Sequence, residues 1–198
     1  MSCTGECFDI GNQTRASLEH WLNTCERPRH KGGARGNGAL MRVAPVALAN
    51  FGRKQDLYLA AHRQSVITHH IDSGHLAGTY AEIVRACLRS GSPGEAMATL
   101  RSFQIVPLRR PRHTVKSTGY DLDTFEAAVW AVQGAKTAEG AIIRAANLGD
   151  DADTVGAVAG ALAGAVWGAA ALPERWLDKL AWRHRIEDAA DRLLAMHR

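Results

Sequence analysis

From Val155 to Leu172 the chain runs for 18 residues without a charge, and Gly156, Gly160, Gly164 and Gly168 recur within it every four positions. A stretch this long and apolar has to be buried as a helix, either in a bilayer or at the middle of a large helical protein. Its content points to the protein interior. It is mostly Ala and Gly, which partition weakly into lipid, and Asp150, Asp151 and Asp153 stand immediately before it. At helical spacing the four glycines fall in one slowly drifting stripe, which predicts a close approach of neighbouring backbones. An interior glycine costs about 1 kcal/mol against alanine. Four of them predict a compensating gain in packing, and make this the central helix of a bundle.

Elsewhere apolar residues recur at a period near 3.6 and alternation at a period of two is almost absent, which predicts an all-α protein. The pattern gives a first helix from Thr14 to Asn23 with Ala16, Leu18, Trp21 and Leu22 facing inward. A second runs from Ala39 to Asn50, kinked at Pro45, and a third from Lys54 to Thr68. Ser73 offers an N-cap for a helix that ends near Ser90, with Gly91 as its left-handed C′ residue and Pro93 opening the next. From Phe103 to Gly119 the period fails, and Pro107, Arg109, Arg110, Pro111, Arg112 and Lys116 read as a solvated basic loop or a phosphate-binding strip. Helices resume over Asp123–Gln133, Thr137–Asn147, Thr154–Ala170 and Glu187–Met196.

The 198 residues suffice for one core, and no linker or charge run divides them, so 1–198 is expected to be a single domain. A net charge of +4 is modest and the positive residues are interleaved with acids, which argues against a nucleic-acid partner. Cys3, Cys7, Cys25 and Cys87 have neither zinc-site spacing nor the density of a disulfide scaffold. Reduced thiols and an N-terminus with no signal-peptide pattern give a cytoplasmic expectation, with no membrane span.

Four constellations carry chemistry. Asp151, Asp153 and Thr154 set two carboxylates and a hydroxyl within four positions at a helix start, a donor set that suits Mg²⁺ or Mn²⁺. The same residues equally suit a helix cap with acids complementing the dipole. Gly36-Asn37-Gly38-Ala39-Leu40-Met41-Arg42 puts two glycines before a helix, where free N–H groups can receive phosphate oxygens or simply start a turn. Thr68-His69-His70 closes the third helix at its negative pole. Ser117-Thr118-Gly119-Tyr120 leads into a helix, and Tyr120 could enter the core or stack on a base.

Taken in order, these segments resemble the ADP-ribosylglycohydrolase family, and most closely its dinitrogenase reductase-activating branch. The matching pieces are Phe8-Asp9-Ile10-Gly11-Asn12, Gly36 to Arg42 with Ala44-Pro45-Val46-Ala47, Thr68-His69, and Ser117 to Tyr120 with the Asp123-Thr124 helix start. Asp151-Ala152-Asp153-Thr154 and Leu172-Pro173-Glu174-Arg175-Trp176 complete the set. The resemblance implies an orthogonal helical bundle around a dinuclear Mg²⁺ or Mn²⁺ centre, with ADP-ribose over the metals. It assigns Asp151, Asp153 and Thr154 to the metal, and Gly36, Asn37, Gly38, Ala39 and Met41 to the diphosphate and neighbouring ribose. His69 matches a substrate-contacting histidine, and Tyr120 an aromatic near the cleft. The implied reaction is hydrolysis of the glycosidic bond between ADP-ribose and a protein side chain, most plausibly arginine.

Family members usually carry a Gly-Asp-Ala-hydrophobic-Gly segment and a Thr-Asp-Asp-Thr segment that supply the rest of the metal shell and the catalytic acid. Neither occurs in this sequence, and Asp150 sits where a glycine is common. The resemblance therefore gives an N-terminally truncated family fold with no assignable catalytic residue. Three readings follow: a hydrolase completed by a second chain or a lost segment, an ADP-ribose-binding module without turnover, or a helical domain that binds nucleic acid through Arg109 to Lys116.

Overall fold

In the structure, a computed structural model that describes residues 9–28, 35–52 and 54–196, α1 (Asn12–Thr24) leads to a 3-10 turn at Asn37–Ala39. Then come α2 (Ala44–Ala49), α3 (Lys54–Ser65), α4 (Ile71–Leu88) and α5 (Pro93–Ser102). A basic connection with a 3-10 turn at Arg112–Thr114 leads to α6 (Asp121–Gln133), α7 (Ala138–Ala146) and α8 (Ala152–Trp167). A 3-10 turn at Ala169–Ala171, α9 (Glu174–Leu177) and α10 (Arg183–Ala195) follow. The chain is all-α. Among the described residues the sole β-type pairing is one antiparallel bridge, Gly36 to Tyr120, and no helix is long and apolar enough to cross a membrane. Phe8, Cys3 and Cys7 lie outside the described residues.

The helix that fills the middle is α6, not α8. Ala127 to Gln133 is an unbroken buried run, and α6 packs on α4, α5, α7 and α8. Tyr80 of α4 ties three of these helices together. Its ring meets Phe125 of α6 edge-on with centroids 6.1 Å apart, and its hydroxyl donates 2.7 Å to the Val158 carbonyl of α8. Burial pushes the Tyr80 ionisation upward, so the phenol stays a donor. A fully buried side chain of this size stabilises the fold by about 1.5–3 kcal/mol.

The close approach expected of the glycine stripe is not made at Gly156 or Gly164. Helix α8 buries Val155, Val158, Ala159, Leu162, Ala163 and Val166, and packs on α7, which buries Ala138, Ala141 and Ala145, and on α6, which buries Ala127, Ala128 and Ala131. Gly156 and Gly164 face open space, and only the Ile142 side chain comes within 4 Å of a methyl added at Gly160. Gly168 ends the helix at φ +83. The tight glycines are elsewhere, on α4. A methyl at Gly78 would meet the Tyr58 ring of α3 at 2.6 Å, and one at Gly74 would meet His62 at 2.8 Å.

Other local expectations also shift. Helix α1 buries only Ser17; Ala16 is exposed, as are Leu18 (46 %), Trp21 (52 %) and Leu22 (78 %), so its apolar residues do not face a core. The segment expected as one helix from Ala39 to Asn50 is two pieces. Pro45 starts α2, within a first turn that needs no donor from it, instead of kinking a longer helix. Helix α3 stops at Ser65, and His70, not Ser73, caps α4 by accepting the Asp72 N–H at 3.3 Å. Gly91 is not left-handed; it donates to Glu95 Oε2 at 2.9 Å beside the Ser92 cap of α5. The last helix starts at Arg183, earlier than Glu187.

Candidate functional site

Three segments far apart in sequence come side by side through backbone hydrogen bonds. The Ser117–Tyr120 stretch is the middle one. On one side Gly119 accepts the Asn37 N–H at 3.0 Å, and Asp121 donates its N–H to the Arg35 carbonyl at 3.1 Å. On the other side Ser117 accepts the Asp151 N–H at 3.0 Å, and its hydroxyl donates to the Gly149 carbonyl at 3.0 Å. The segments feed the 3-10 turn at Asn37, α6 and α8, so two long helices begin at one place and aim their N-terminal N–H groups there.

Asn37 joins all three. Its side-chain amide donates to Thr124 Oγ1 at 2.8 Å and to Asp151 Oδ2, while Thr124 donates onward to the Thr118 carbonyl at 3.1 Å. The other Asp151 oxygen accepts from Thr154 Oγ1 at 3.3 Å. Neither Asp153 nor Thr154 caps α8. Asp151 holds the N-cap position without a side-chain cap bond, and Asp153 is exposed on the first turn. Gly149 and Asp150 before it both have positive φ, +82 and +53. At position 150 the backbone thus enters a region that Cβ disfavours, which suits the glycine that the family resemblance implies there.

The glycine loop is held from below. Arg42 donates to the Gly38 carbonyl at 3.2 Å, to Gln64 Oε1 at 2.9 Å, to the Gln64 carbonyl at 3.0 Å and to Thr68 Oγ1 at 2.7 Å. His69, 2 % exposed, lies against the loop, with its Nε2 3.2 Å from where a Gly38 Cβ would stand. Ala39 and Asn37 are buried and Met41 is exposed. Tyr120 is not in the core. It is 38 % exposed, and the Arg35 guanidinium lies 5.0 Å from its ring centroid.

Sequence reasoning missed the groups beneath Tyr120. Asp121, 1 % exposed, pairs with Arg35 at 3.0 Å and accepts from Ser73 Oγ at 2.6 Å and from the Leu122 N–H at 2.7 Å. Burial works against the Arg35 charge, but the hydrogen bond and charge of Asp121 outweigh it and hold the guanidinium protonated more firmly than usual. In sequence Asp121 looks like any acid in a first helical turn, and nothing local ties it to Arg35. Ser73 stands near a helix start, where the sequence predicts a cap; its hydroxyl instead donates to Asp121.

The donor set around Asp151 is all oxygen, which fits Mg²⁺ or Mn²⁺ in kind. It is a partial shell. Among the described residues no three His, Cys, Asp or Glu side chains gather for a metal. A cavity of about 520 Å³ between α1 and the end of α3 is lined by Leu18, Trp21, Pro28, Ile67 and Thr68, and reaches the residues beneath the glycine loop at Thr68.

Comparison with known proteins places the chain in a family. A family model described as ADP-ribosylglycohydrolase matches residues 1–198. The chain belongs to the ADP-ribosylglycohydrolase family. It is 35% identical over 204 residues to an ADP-ribosylarginine hydrolase, Tri1, of Pseudomonas putida, covering 97% of this chain and 55% of that protein. It is 33% identical over 197 residues to the ADP-ribosyl-[dinitrogen reductase] glycohydrolase of Rhodospirillum rubrum, covering 95% of this chain and 66% of that protein. A solved structure described as an ADP-ribosylglycohydrolase-related protein complex superposes with a TM-score of 0.80 at 35% identity, covering 95% of this chain and 70% of the other. The chain thus spans between about half and two thirds of the length of these protein relatives.

Proposed function

We propose that this chain is a metal-dependent ADP-ribosylglycohydrolase acting on ADP-ribosylated protein side chains, arginine first. Water adds its oxygen to the anomeric carbon of the ribose as the carbon–nitrogen bond to the acceptor breaks. The guanidine leaves with a proton drawn from that water. Asp151, Asp153 and Thr154 would hold Mg²⁺ or Mn²⁺, which when bound orients ribose hydroxyls and water and offsets developing charge. Asn37 orients the Asp151 carboxylate and links it to the glycine loop. Gly36 to Met41 receive the diphosphate and its ribose, and Tyr120 offers an exposed ring with a cation behind it. The observation that carries this reading is the Asn37 amide bonded to both Thr124 and Asp151, which brings three motifs distant in sequence into one cluster.

A second reading is favoured by the partial shell. An oxygen-donor half-site with no third acid gathered among the described residues suits an ADP-ribose-binding module whose turnover needs a further segment or a second chain. Release of ADP-ribose from ADP-ribosyl-arginine, measured with the chain alone in Mn²⁺, separates the two. Turnover that Asp151→Asn abolishes supports the hydrolase; binding without release supports the module. In either case Tyr120→Ala should weaken ADP-ribose binding while leaving the thermal midpoint within a few degrees. Unaltered affinity would remove Tyr120 from the site.

A further inference from the structure

Arg42 belongs to the glycine-loop motif, yet nothing in the proposed chemistry uses its side chain. The guanidinium has only donors, so Thr68 Oγ1 accepts from it at 2.7 Å. Thr68 Oγ1 keeps its proton and one further lone pair, and His69 Nδ1, also 2.7 Å away, is within reach of that proton. An imidazole whose Nδ1 accepts carries its proton on Nε2. That nitrogen is the one turned to the loop, 3.2 Å and 3.6 Å from where methyls on Gly38 and Gly36 would stand.

The same guanidinium fixes a peptide plane. Arg42 takes the Gly38 carbonyl at 3.2 Å, and Gln64 Nε2 takes the Ala39 carbonyl at 3.3 Å. In a planar trans peptide the N–H points opposite to the C=O. With the Gly38 carbonyl drawn toward Arg42, the Ala39 N–H faces away from it, and that is the orientation an anion needs at the start of a turn. Gly36 and Gly38 accordingly serve two surfaces, the imidazole packed below and the ligand face above.

We propose that Arg42, Thr68 and His69 form a relay that fixes His69 as the Nε2–H tautomer and the Gly38–Ala39 peptide with its N–H outward. Arg42 and Thr68 are positioning residues for the diphosphate of ADP-ribose. His69 acts on the loop from beneath, and its Nε2–H is a fixed donor whatever else it touches. This deepens the reading of the glycine loop given above and rests on it for the ligand.

The test reads the tautomer directly. Long-range ¹H–¹⁵N spectra of the histidine rings are recorded at neutral pH without ligand, for the wild type, Thr68→Val and Thr68→Ser, with ADP-ribose affinity measured by calorimetry on each. The wild type should show His69 as Nε2–H. Thr68→Val, equal in volume, should shift that ring toward the other tautomer and weaken ADP-ribose by about five- to tenfold, the loss of one hydrogen bond. Thr68→Ser should restore both. Arg42→Lys, which keeps the charge but not the fork, should match Thr68→Val in affinity. A wild-type His69 protonated on Nδ1, or a Thr68→Val spectrum identical to the wild type, overturns the relay. If the wild type binds no ADP-ribose, the ligand assignment fails while the unliganded spectra still decide the tautomer.

Discussion

At Asp150 the backbone sits at φ +53, directly after Gly149 at φ +82. A left-handed conformation costs an ordinary L-residue about 1–2 kcal/mol, less for Asp, and glycine recovers that at the expense of extra freedom in the unfolded chain. Asp150→Gly should therefore raise stability by up to about 1 kcal/mol, read as a higher urea midpoint at unchanged slope. A lower midpoint would mean that the Asp150 side chain contributes more than its backbone costs. Residue identities at the candidate cluster could be read from sequence because Asp151, Thr154, Asn37 and Tyr120 stand in motifs with family order, whereas Asp153 lies exposed on the first turn of α8. The partners that fix them could not. The bond from Asn37 to Asp151 spans 114 positions and that from Ser73 to Asp121 spans 48, and no local pattern encodes a separation of that kind.

Among the helices, glycine has two opposite uses. On α4 the pair Gly74 and Gly78 seats the His62 and Tyr58 rings of α3, whereas Gly156 and Gly164 of α8 face open space. Gly156→Ala should stabilise the chain by about 1 kcal/mol through helix propensity. Gly78→Ala should destabilise it by about 1–3 kcal/mol through overpacking. Thermal midpoints of the two variants check this together, and a destabilising Gly156→Ala would show that something packs on that stripe. Spacing fixed the stripe in sequence, but only contacts could tell a packed glycine from an open one. The same limit put Leu18, Trp21 and Leu22 on the wrong side of α1: an amphipathic period gives a face without saying whether anything covers it.

The α3–α4 seam also carries a pH response. His62 is held below its ordinary value by burial, by His75 with a ring 4.9 Å away, and by Arg27. Tyr58 hydroxyl, 2.7 Å from His75 Nδ1, is the other polar group there. Because the folded value is depressed, the contribution of His62 is full above its unfolded value near 6.5 and is lost as pH falls through the folded value. The thermal midpoint should drop between pH 7.5 and pH 5, and His62→Gln should lessen that drop. An equal drop in the variant would place the acid sensitivity elsewhere.

For the molecule as a whole, the ten helices of the described residues place two helix starts and a glycine loop around one carboxylate, with α6 as the buried axis that registers them. The helical class, and most helices to within a few residues, followed from the 3.6-residue period and from turn residues such as Pro93. Which helix is central did not follow, since hydropathy ranks α8 highest while burial falls on α6. The central claim is that the Gly36 loop, Ser117–Tyr120 and Asp151–Thr154 form one ADP-ribose site that works with a divalent cation. Calorimetric titration of ADP-ribose into the chain, with and without Mn²⁺ and repeated on Asp151→Asn, tests it most directly. The expected result is binding that Mn²⁺ strengthens in the wild type and not in the variant. Binding that is absent in both conditions, or identical in the wild type and Asp151→Asn, would contradict it.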